Sequence, residues 1–524
     1  MKADGGRGKT YTYAQLADLI GQVAAGLSRA ELSGYREIGL LSENRPEWGI
    51  AYLAITAAGK TVVPIDANLK PAEMAYIIEH ADLKAIFVSA KFEKILNERY
   101  DHLRLFTFDD DSPDFWLNIA AADTSTIPSE ENQVAVLIFT SGTTGDPKAV
   151  QLTHRNLLAN IAGIDPALPF GKDDTFLCVL PLHHTFEATC GFLVPLMSGS
   201  TIVYARSLKS NEIREDIAAN SVTVMCGVPL LYEKLYHSVH RKIQSAPAPN
   251  RILFKVLFSL SGLGWKMGYK WGKLLFRSLR NKGGMDAMNM FVSGGAALPP
   301  NICRFFNLLG LDLLQGYGMT ECSPVISVNR PDDIKFGSVG PPLSNVQISI
   351  EDPGEGGVGE ILVKSDAVTP GYKDNPEETA QLIRDSWLYT GDLGYLRDGH
   401  LWITGRKKNL IVSAAGKNIY PEQIEEALLE SPYIMETVVF GRAKESRQGE
   451  QVCAVIVPDL DQFKTGYGVS PGDPDMELIN RVIGEEVARI NSSMTDYKRV
   501  KDFRVQIEEL EKTSTKKVRR FVYK

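Results

Sequence analysis

Residues 134–150 read VAVLIFTSGTTGDPKAV, and the remainder of the chain is legible around them. An apolar run of strand length ends at Thr140 and gives way to hydroxyls and glycines. A backbone needs such residues if its N–H groups are to wrap phosphate oxygens. Gly142 and Gly145 permit close approach, Ser141, Thr143 and Thr144 supply hydroxyl donors, and Lys148 adds a cation for a polyphosphate tail. The loop is not of the Walker type, because no Ser or Thr follows Lys148. Taken alone, such a loop also serves as a plain turn.

The chain has 524 residues, more than one hydrophobic core usually supports, so at least two domains are expected. Its net charge of −7 offers no overall basic balance for a nucleic acid partner. Six cysteines, scattered without CxxC spacing, suggest neither a zinc site nor a disulfide framework, and fit a reducing cytoplasm. The most membrane-like run, Ala188 to Ala205, is punctuated by Gly191, Pro195 and Gly199 and reads as buried helix or strand.

Helix-like and strand-like runs alternate from Thr10 onward, as in Leu16 to Leu27, TVVPI at 61–65, PAEMAYIIEH at 71–80 and KAIFVS at 84–89. This alternation predicts α/β sheets covered by helices, with ligands at the carboxyl ends of strands. In PLHHTFE at 181–187, two adjacent histidines precede a glutamate. On a strand their side chains point to opposite faces, so a structural histidine is expected rather than shared metal ligation. VSGGAALP at 292–299 has too few side chains for an interior strand and suits either a turn or a flat ligand against backbone. LQGYGMTE at 314–321 sets Tyr317 between Gly316 and Gly318, where its ring can face a purine. Thr320 and Glu321 offer the oxygens that a hard cation prefers. WLYTGD at 387–392 ends in an acid of the kind that chelates a ribose diol, although an Asp after Gly is commonly a turn residue.

Together these motifs resemble the adenylate-forming, AMP-binding superfamily, whose signature TSGTTGxPK matches 140–148 and whose motifs run in the same order from Tyr11 to Arg520. The resemblance implies a large multi-layer α/β N-terminal domain over 1–407, with a small β subdomain at about 336–404. It also implies a small mobile α+β lid over 408–524, swinging about a hinge at Lys408. It assigns Ser141, Gly142, Thr143, Thr144, Gly145 and Lys148 to the phosphates of ATP, and Gly295, Ala296, Gln315, Gly316, Tyr317 and Gly318 to adenine. Thr320 falls to the α-phosphate, Thr140 and Glu321 to magnesium, Asp392 and Arg406 to ribose or phosphate, and His184 to the substrate carboxylate. Ser413, Gly416 and Lys417 fall to the coenzyme A channel. The terminal pattern T-x-T-G-K-[IV]-x-R places the catalytic lysine at Lys517; Lys516 replaces the pattern's glycine, setting a second lysine beside it.

Within the superfamily PLHHTFE, TECSPV and the long insertion at 240–285 most resemble long-chain fatty-acid–CoA ligases. That resemblance implies a medium- or long-chain fatty acid as substrate and coenzyme A as acceptor, with acyl carrier protein as the alternative acceptor. A catalytically silent nucleotide- or lipid-binding scaffold is the alternative from another class. The oligomeric state stays open. One stretch stands apart from these motifs: residues 237–285 contain no Asp or Glu. Lys266, Lys270, Lys273, Arg277 and Arg280 recur there at helical spacing among Trp265, Trp271 and Leu274. The segment 251–282 therefore reads either as an interfacial helix for the inner membrane face of the cytoplasm or as a surface helix completing the core.

Overall fold

The computed structural model describes residues 9–109, 115–121, 130–140, 147–444, 447–470, 472–512 and 518–523. The chain forms two compact units, Met1–Ile348 with Val363–Leu388 and Gly399–Leu401, and Ser349–Leu362 with Tyr389–Asp398 and Trp402–Lys524. The expected boundary at 408 was drawn at the hinge motif, whereas these units follow compactness.

The first unit carries the expected α/β alternation. Strands Thr61–Pro64, Glu37–Leu41, Ala85–Val88, Arg104–Thr107 and Val134–Thr140 run parallel in one sheet, extended by antiparallel Lys148–Thr153 and Gly371–Tyr372. Parallel strands covered on both faces need continuous apolar sequence, which is why Ala135, Val136 and Leu137 are all buried. The helices of this unit begin where the sequence marks a start. Thr12 and Gln15 form a capping box on Tyr13–Leu27, and Pro46, Pro71 and Pro229 open the first turns of their helices. A second sheet has the order Val325–Val328, Asp312–Gly318, Met290–Ser293, Val224–Gly227, Thr175–Cys178, Thr201–Tyr204, parallel except for its first pair.

The stretch Ala188–Ala205 is buried helix followed by strand. Glu187–Leu193 is a π-helix, Val194–Met197 an α-helical turn and Thr201–Tyr204 a strand. Among the described residues no helix is long and apolar enough to cross a membrane. The basic stretch differs from the single helix expected of it. Helix Ala248–Lys266 ends before Gly268, whose φ of +82° reverses the chain, and two short helices follow, Gly272–Leu275 and Arg277–Lys282. Lys270 and Lys273 both pair with Asp312, and Arg280 donates to the carbonyls of Gly272, Lys273 and Leu309, so three of the five cations hold the segment to the unit.

A five-stranded sheet follows, with strands Gln347–Glu351, Gly359–Lys364, Trp387–Arg397, His400–Arg406 and the two-residue Ile383–Arg384. In the second unit three strands form one sheet, Ile434–Lys444, Arg447–Pro458 and Asp502–Val505. Helix Met476–Ser492 buries Ile479, Val482, Ile483, Val487 and Ile490 in that unit's core, the face its spacing predicts.

Candidate active site

The site begins where the second sheet stops. The parallel ladders of three neighbouring strands stop together at Gly227, Ser293 and Gln315, so these three residues reach one level, and the third strand runs on to Gly318. Tyr232 braces them from beneath by donating its hydroxyl to the carbonyls of Met225 and Val292. Beyond them backbone replaces side chains. A Cβ on Gly294 would lie 3.1 Å from the Phe186 ring, and Gly295 has φ +83°. Gly295 is favoured by its positive φ, and a side chain at position 294 would need the Phe186 ring to shift. Ser293 Oγ and Gln315 Oε1 are buried here without a hydrogen-bond partner. Buried polar atoms cost free energy until something pairs with them, and a purine edge supplies suitable partners. Ser293 was quoted in the motif but not singled out; its pairing with Gln315 across two strands is the signal that identifies it.

Strand Asp312–Gly318 then pairs antiparallel with Val325–Val328, with an irregularity between Tyr317 and Gly318. A Cβ on Gly318 would overlap the Pro324 carbonyl, so only glycine lets the chain return this closely. Thr320 and Glu321 sit in the 3-10 turn between the two strands. Thr185 Oγ1 donates to Thr320 Oγ1 at 3.2 Å, and Thr189 donates to the Ser323 carbonyl, tying the 181–189 segment to this turn. Tyr372 donates its hydroxyl to Glu321 Oε1 at 2.8 Å. Burial, with the Glu321 charge, pushes the Tyr372 phenol well above its ordinary value, so it remains a donor at neutral pH.

The same tyrosine connects this turn to the phosphate loop. The Lys148 ammonium lies 5.3 Å from the Tyr372 ring centroid and pairs with the Glu378 carboxylate. Thr140 faces Lys148 in the ladder and donates its hydroxyl to the Lys148 carbonyl at 3.4 Å. Lys148 and Glu321 thus meet at one tyrosine, and Thr140 is tied to the Lys148 backbone. A hydroxyl and a carboxylate make a donor set suited to magnesium. Ser141, Gly142, Thr143, Thr144 and Gly145 lie outside the described residues.

His183 and His184 correct the expectation for their segment. They stand on a turn after Pro181 rather than on a strand, so their rings converge, with the two Nε2 atoms 3.1 Å apart. Asp66 joins them, its Oδ2 3.4 Å from His183 Nε2 while its Oδ1 accepts from the Asn68 amide. Burial pushes the Asp66 carboxyl up, but the His183 hydrogen bond and charge outweigh it and hold the group well below the usual carboxylate range. His183 stands between a fixed anion and His184, an arrangement that orients the ring assigned to the substrate carboxylate. Asp66 and His183 were not foreseen as a unit. The turn depends on Asn44, which donates to the Leu180 carbonyl and accepts from the Leu182 amide.

Glu187, two residues past Thr185, was also missed. It is fully buried at the start of the π-helix, accepts from the Val179 amide through Oε1, and leaves Oε2 without a partner. Burial raises its pKa to about 8, so the group is chiefly the neutral acid at pH 7. A π-turn with a neutral acid at its head keeps charge out of the apolar stretch that follows His184.

In the second unit Asp392 is 6% exposed and pairs with Arg406, Nε to Oδ1 at 3.0 Å. Arg406, Lys407 and Lys408 line a depression of about 360 Å³ with Thr390 and Gly391, while Lys407 binds Glu360 at 2.6 Å. Ser413, Gly416 and Lys417 form a tight turn: the Gly416 amide donates to the Ser413 carbonyl, the Lys417 amide to Ser413 Oγ, and Gly416 has φ +71°. Lys516 and Lys517 lie outside the described residues. Their flanks are firmly placed: Lys512 bridges Val518 and pairs with Glu436, while Arg520 is locked onto Glu425 and the Val439 carbonyl.

The sequence profile of AMP-binding enzymes matches residues 2–373, and that of the AMP-binding enzyme C-terminal domain matches 423–517. The long-chain-fatty-acid–CoA ligase FadD15 of Mycobacterium bovis is 29% identical over 94% of this chain and 86% of its own length. The putative acyl–CoA ligase YdaB of Bacillus subtilis is 28% identical over 93% of both chains. Among solved structures, ATP-bound MatB from Rhodopseudomonas palustris superposes with a TM-score of 0.79 at 25% identity, covering 99% of this chain and 94% of its own. The o-succinylbenzoate coenzyme A synthetase MenE of Bacillus subtilis, solved with ATP and magnesium, gives 0.75 at 24% identity over 98% and 94%. With its strand ends, its GYGMTE turn and both profiles in agreement, the chain belongs to the AMP-binding enzyme family, the adenylate-forming ligases.

Proposed function

We propose that the chain is an ATP-dependent fatty acyl-CoA synthetase that activates a medium- or long-chain fatty acid. The observation that carries this reading is the hydrogen bond between Thr185 and Thr320, which seats the segment assigned to the acid against the segment assigned to the α-phosphate. The relatives named as long-chain ligases, each 28 or 29% identical, favour a fatty acid. MatB and MenE share the fold but carry other names, so the acid is the finer part of the proposal.

A carboxylate is a poor electrophile, because its charge repels nucleophiles and oxide is a poor leaving group. In the first half-reaction a carboxylate oxygen of the fatty acid attacks the α-phosphorus of ATP. The bond to the bridging oxygen breaks, and pyrophosphate departs with that electron pair. His184, steadied by His183 and Asp66, orients the carboxylate; Thr320 and Lys517 hold the charge that builds on the α-phosphate oxygens. Thr140 and Glu321 would hold magnesium, which neutralises phosphate charge when bound. In the second half-reaction the coenzyme A thiolate attacks the acyl carbon, and the bond to AMP breaks to leave a thioester. Here the turn at Ser413, Gly416 and Lys417 takes the place of Lys517, a change of face made by rotation at Lys408.

The acceptor is tested by measuring AMP release with a panel of fatty acids of graded length, first with coenzyme A and then with acyl carrier protein. AMP release that follows coenzyme A and peaks at a medium or long chain supports the proposal. Release only with carrier protein assigns the same adenylate to the alternative acceptor, and no release with either acceptor removes the enzyme reading in favour of a scaffold.

A further inference from the structure

We infer that helix Ala248–Lys266 and the turn that follows it form a docking surface for an anionic phospholipid bilayer. A helix that merely completes a core has one apolar stripe. This one has two. Phe254, Leu257 and Phe258 pack inward on the cluster around Phe276 and Phe305, and Ser261 on the same side donates to the Leu308 carbonyl at 2.7 Å. Ile252, Leu253, Val256, Leu260, Leu263 and Met267 face solvent, Ile252 63% and Met267 57% exposed. At about 100° per residue these six fall within about 100° of the helix circumference, opposite the packed stripe. Leu274 extends the exposed apolar surface at 78% exposure, and Tyr269 stacks on Trp271 beside it. Amphipathic rings of this kind suit the boundary between headgroup and acyl chain.

The charges name the partner. Lys270, Lys273 and Arg280 are engaged within the unit, but Arg251, Lys255, Lys266, Arg277 and Lys282 have no carboxylate partner among the described residues. Arg251, Lys255 and Lys266 occupy the sector adjoining the exposed stripe, and no acid stands anywhere from residue 237 to 285. An apolar band fringed by cations matches acyl chains beneath anionic headgroups. A second copy meeting the same face by two-fold symmetry would set like cations against each other. An acidic carrier protein would satisfy the cations and leave the aliphatic band uncovered. The inference is independent of which acid is activated, since its test reads binding alone.

The test is flotation of the full chain with vesicles of phosphatidylcholine alone and of equimolar phosphatidylcholine and phosphatidylglycerol. Binding is expected to the mixed vesicles and to fall at least about tenfold without phosphatidylglycerol. Two triple variants, Leu253→Gln with Leu260→Gln and Leu263→Gln, and Arg251→Glu with Lys255→Glu and Lys266→Glu, should each lower binding by at least about tenfold with unchanged thermal melting. Should the apolar variant fold poorly, the charge reversal decides alone. Equal binding by wild type and charge reversal overturns the inference. So does an absence of binding to mixed vesicles, or a self-association in sedimentation that the apolar triple abolishes.

Discussion

In the first unit Ser293 Oγ and Gln315 Oε1 lie buried at neighbouring strand ends without a partner, whereas in the second Arg406, Lys407 and Lys417 each already hold a carboxylate, at 3.0, 2.6 and 3.6 Å. Unsatisfied buried oxygens are destabilising by about 1–3 kcal/mol each until something pairs with them, so under the proposed function the strand ends gain when a nucleotide supplies the partners. Ion pairs whose cations are about half exposed contribute little and exchange readily, so the second unit can present different charges at different stages. One unit thus offers a fixed shape and the other exchangeable charge, the contrast on which the two half-reactions proposed above would draw.

The largest expected effect comes from removing a cation of the second unit. Lys517→Ala should slow adenylate formation by about 10²–10³ in single-turnover assays while thioester formation from supplied acyl-adenylate largely survives. Equal loss in both half-reactions would break the contrast between fixed shape and exchangeable charge; the same phenotype from Lys516→Ala would move the role to its neighbour. In the first unit, Gly318→Ala should cost about 3 kcal/mol in denaturant unfolding, because the added Cβ meets backbone at Pro324 rather than a side chain that can move. A neutral result would mean that the return of the chain at Pro324 is not fixed in shape.

Glu187 tests the interior of that same unit through pH. Its folded pKa of about 8 exceeds the unfolded value of about 4.3, so the folded protein holds a proton that the unfolded chain releases between them. Stability from this group is complete below about pH 4.3 and is lost as pH rises through about 8. Glu187→Gln should therefore gain on wild type by on the order of 2–3 kcal/mol from about pH 6 to about pH 9, read from urea midpoints. Parallel curves would refute the neutral buried acid. Smallest of all, Arg406→Ala should raise KM for ATP about tenfold with kcat little changed, the loss expected of an exchangeable charge. A large fall in kcat would give Arg406 a part in the chemistry.

Where the chain itself imposes the constraint, the sequence made the structure readable. Gly318 announces a place where backbone passes too close for a Cβ and Gly295 one of positive φ, and Tyr317, Thr320 and Glu321 lie within a few residues of Gly318. Helix starts at Thr12 and Pro46 are equally local. What escaped was choice of partner across long separations. The convergence of His183 and His184 rests on Asn44, 138 residues before the Leu182 amide it accepts from, and on Asp66. The basic stretch misled for the same reason: its periodicity suggested one helix, but Asp312 claims Lys270 and Lys273 across some forty residues and Gly268 turns the chain. Glu187 gave no warning, since its neutrality arises from burial that no local pattern encodes.

The central claim, that this ligase activates a fatty acid by adenylation, is met most directly by mixing the chain with ATP, magnesium and one acid at a time in the absence of any thiol, and identifying the product by mass spectrometry. A fatty acyl-adenylate forming in step with pyrophosphate is the predicted result. An adenylate formed only from a short dicarboxylic or aromatic acid, or no adenylate from any acid, would contradict it.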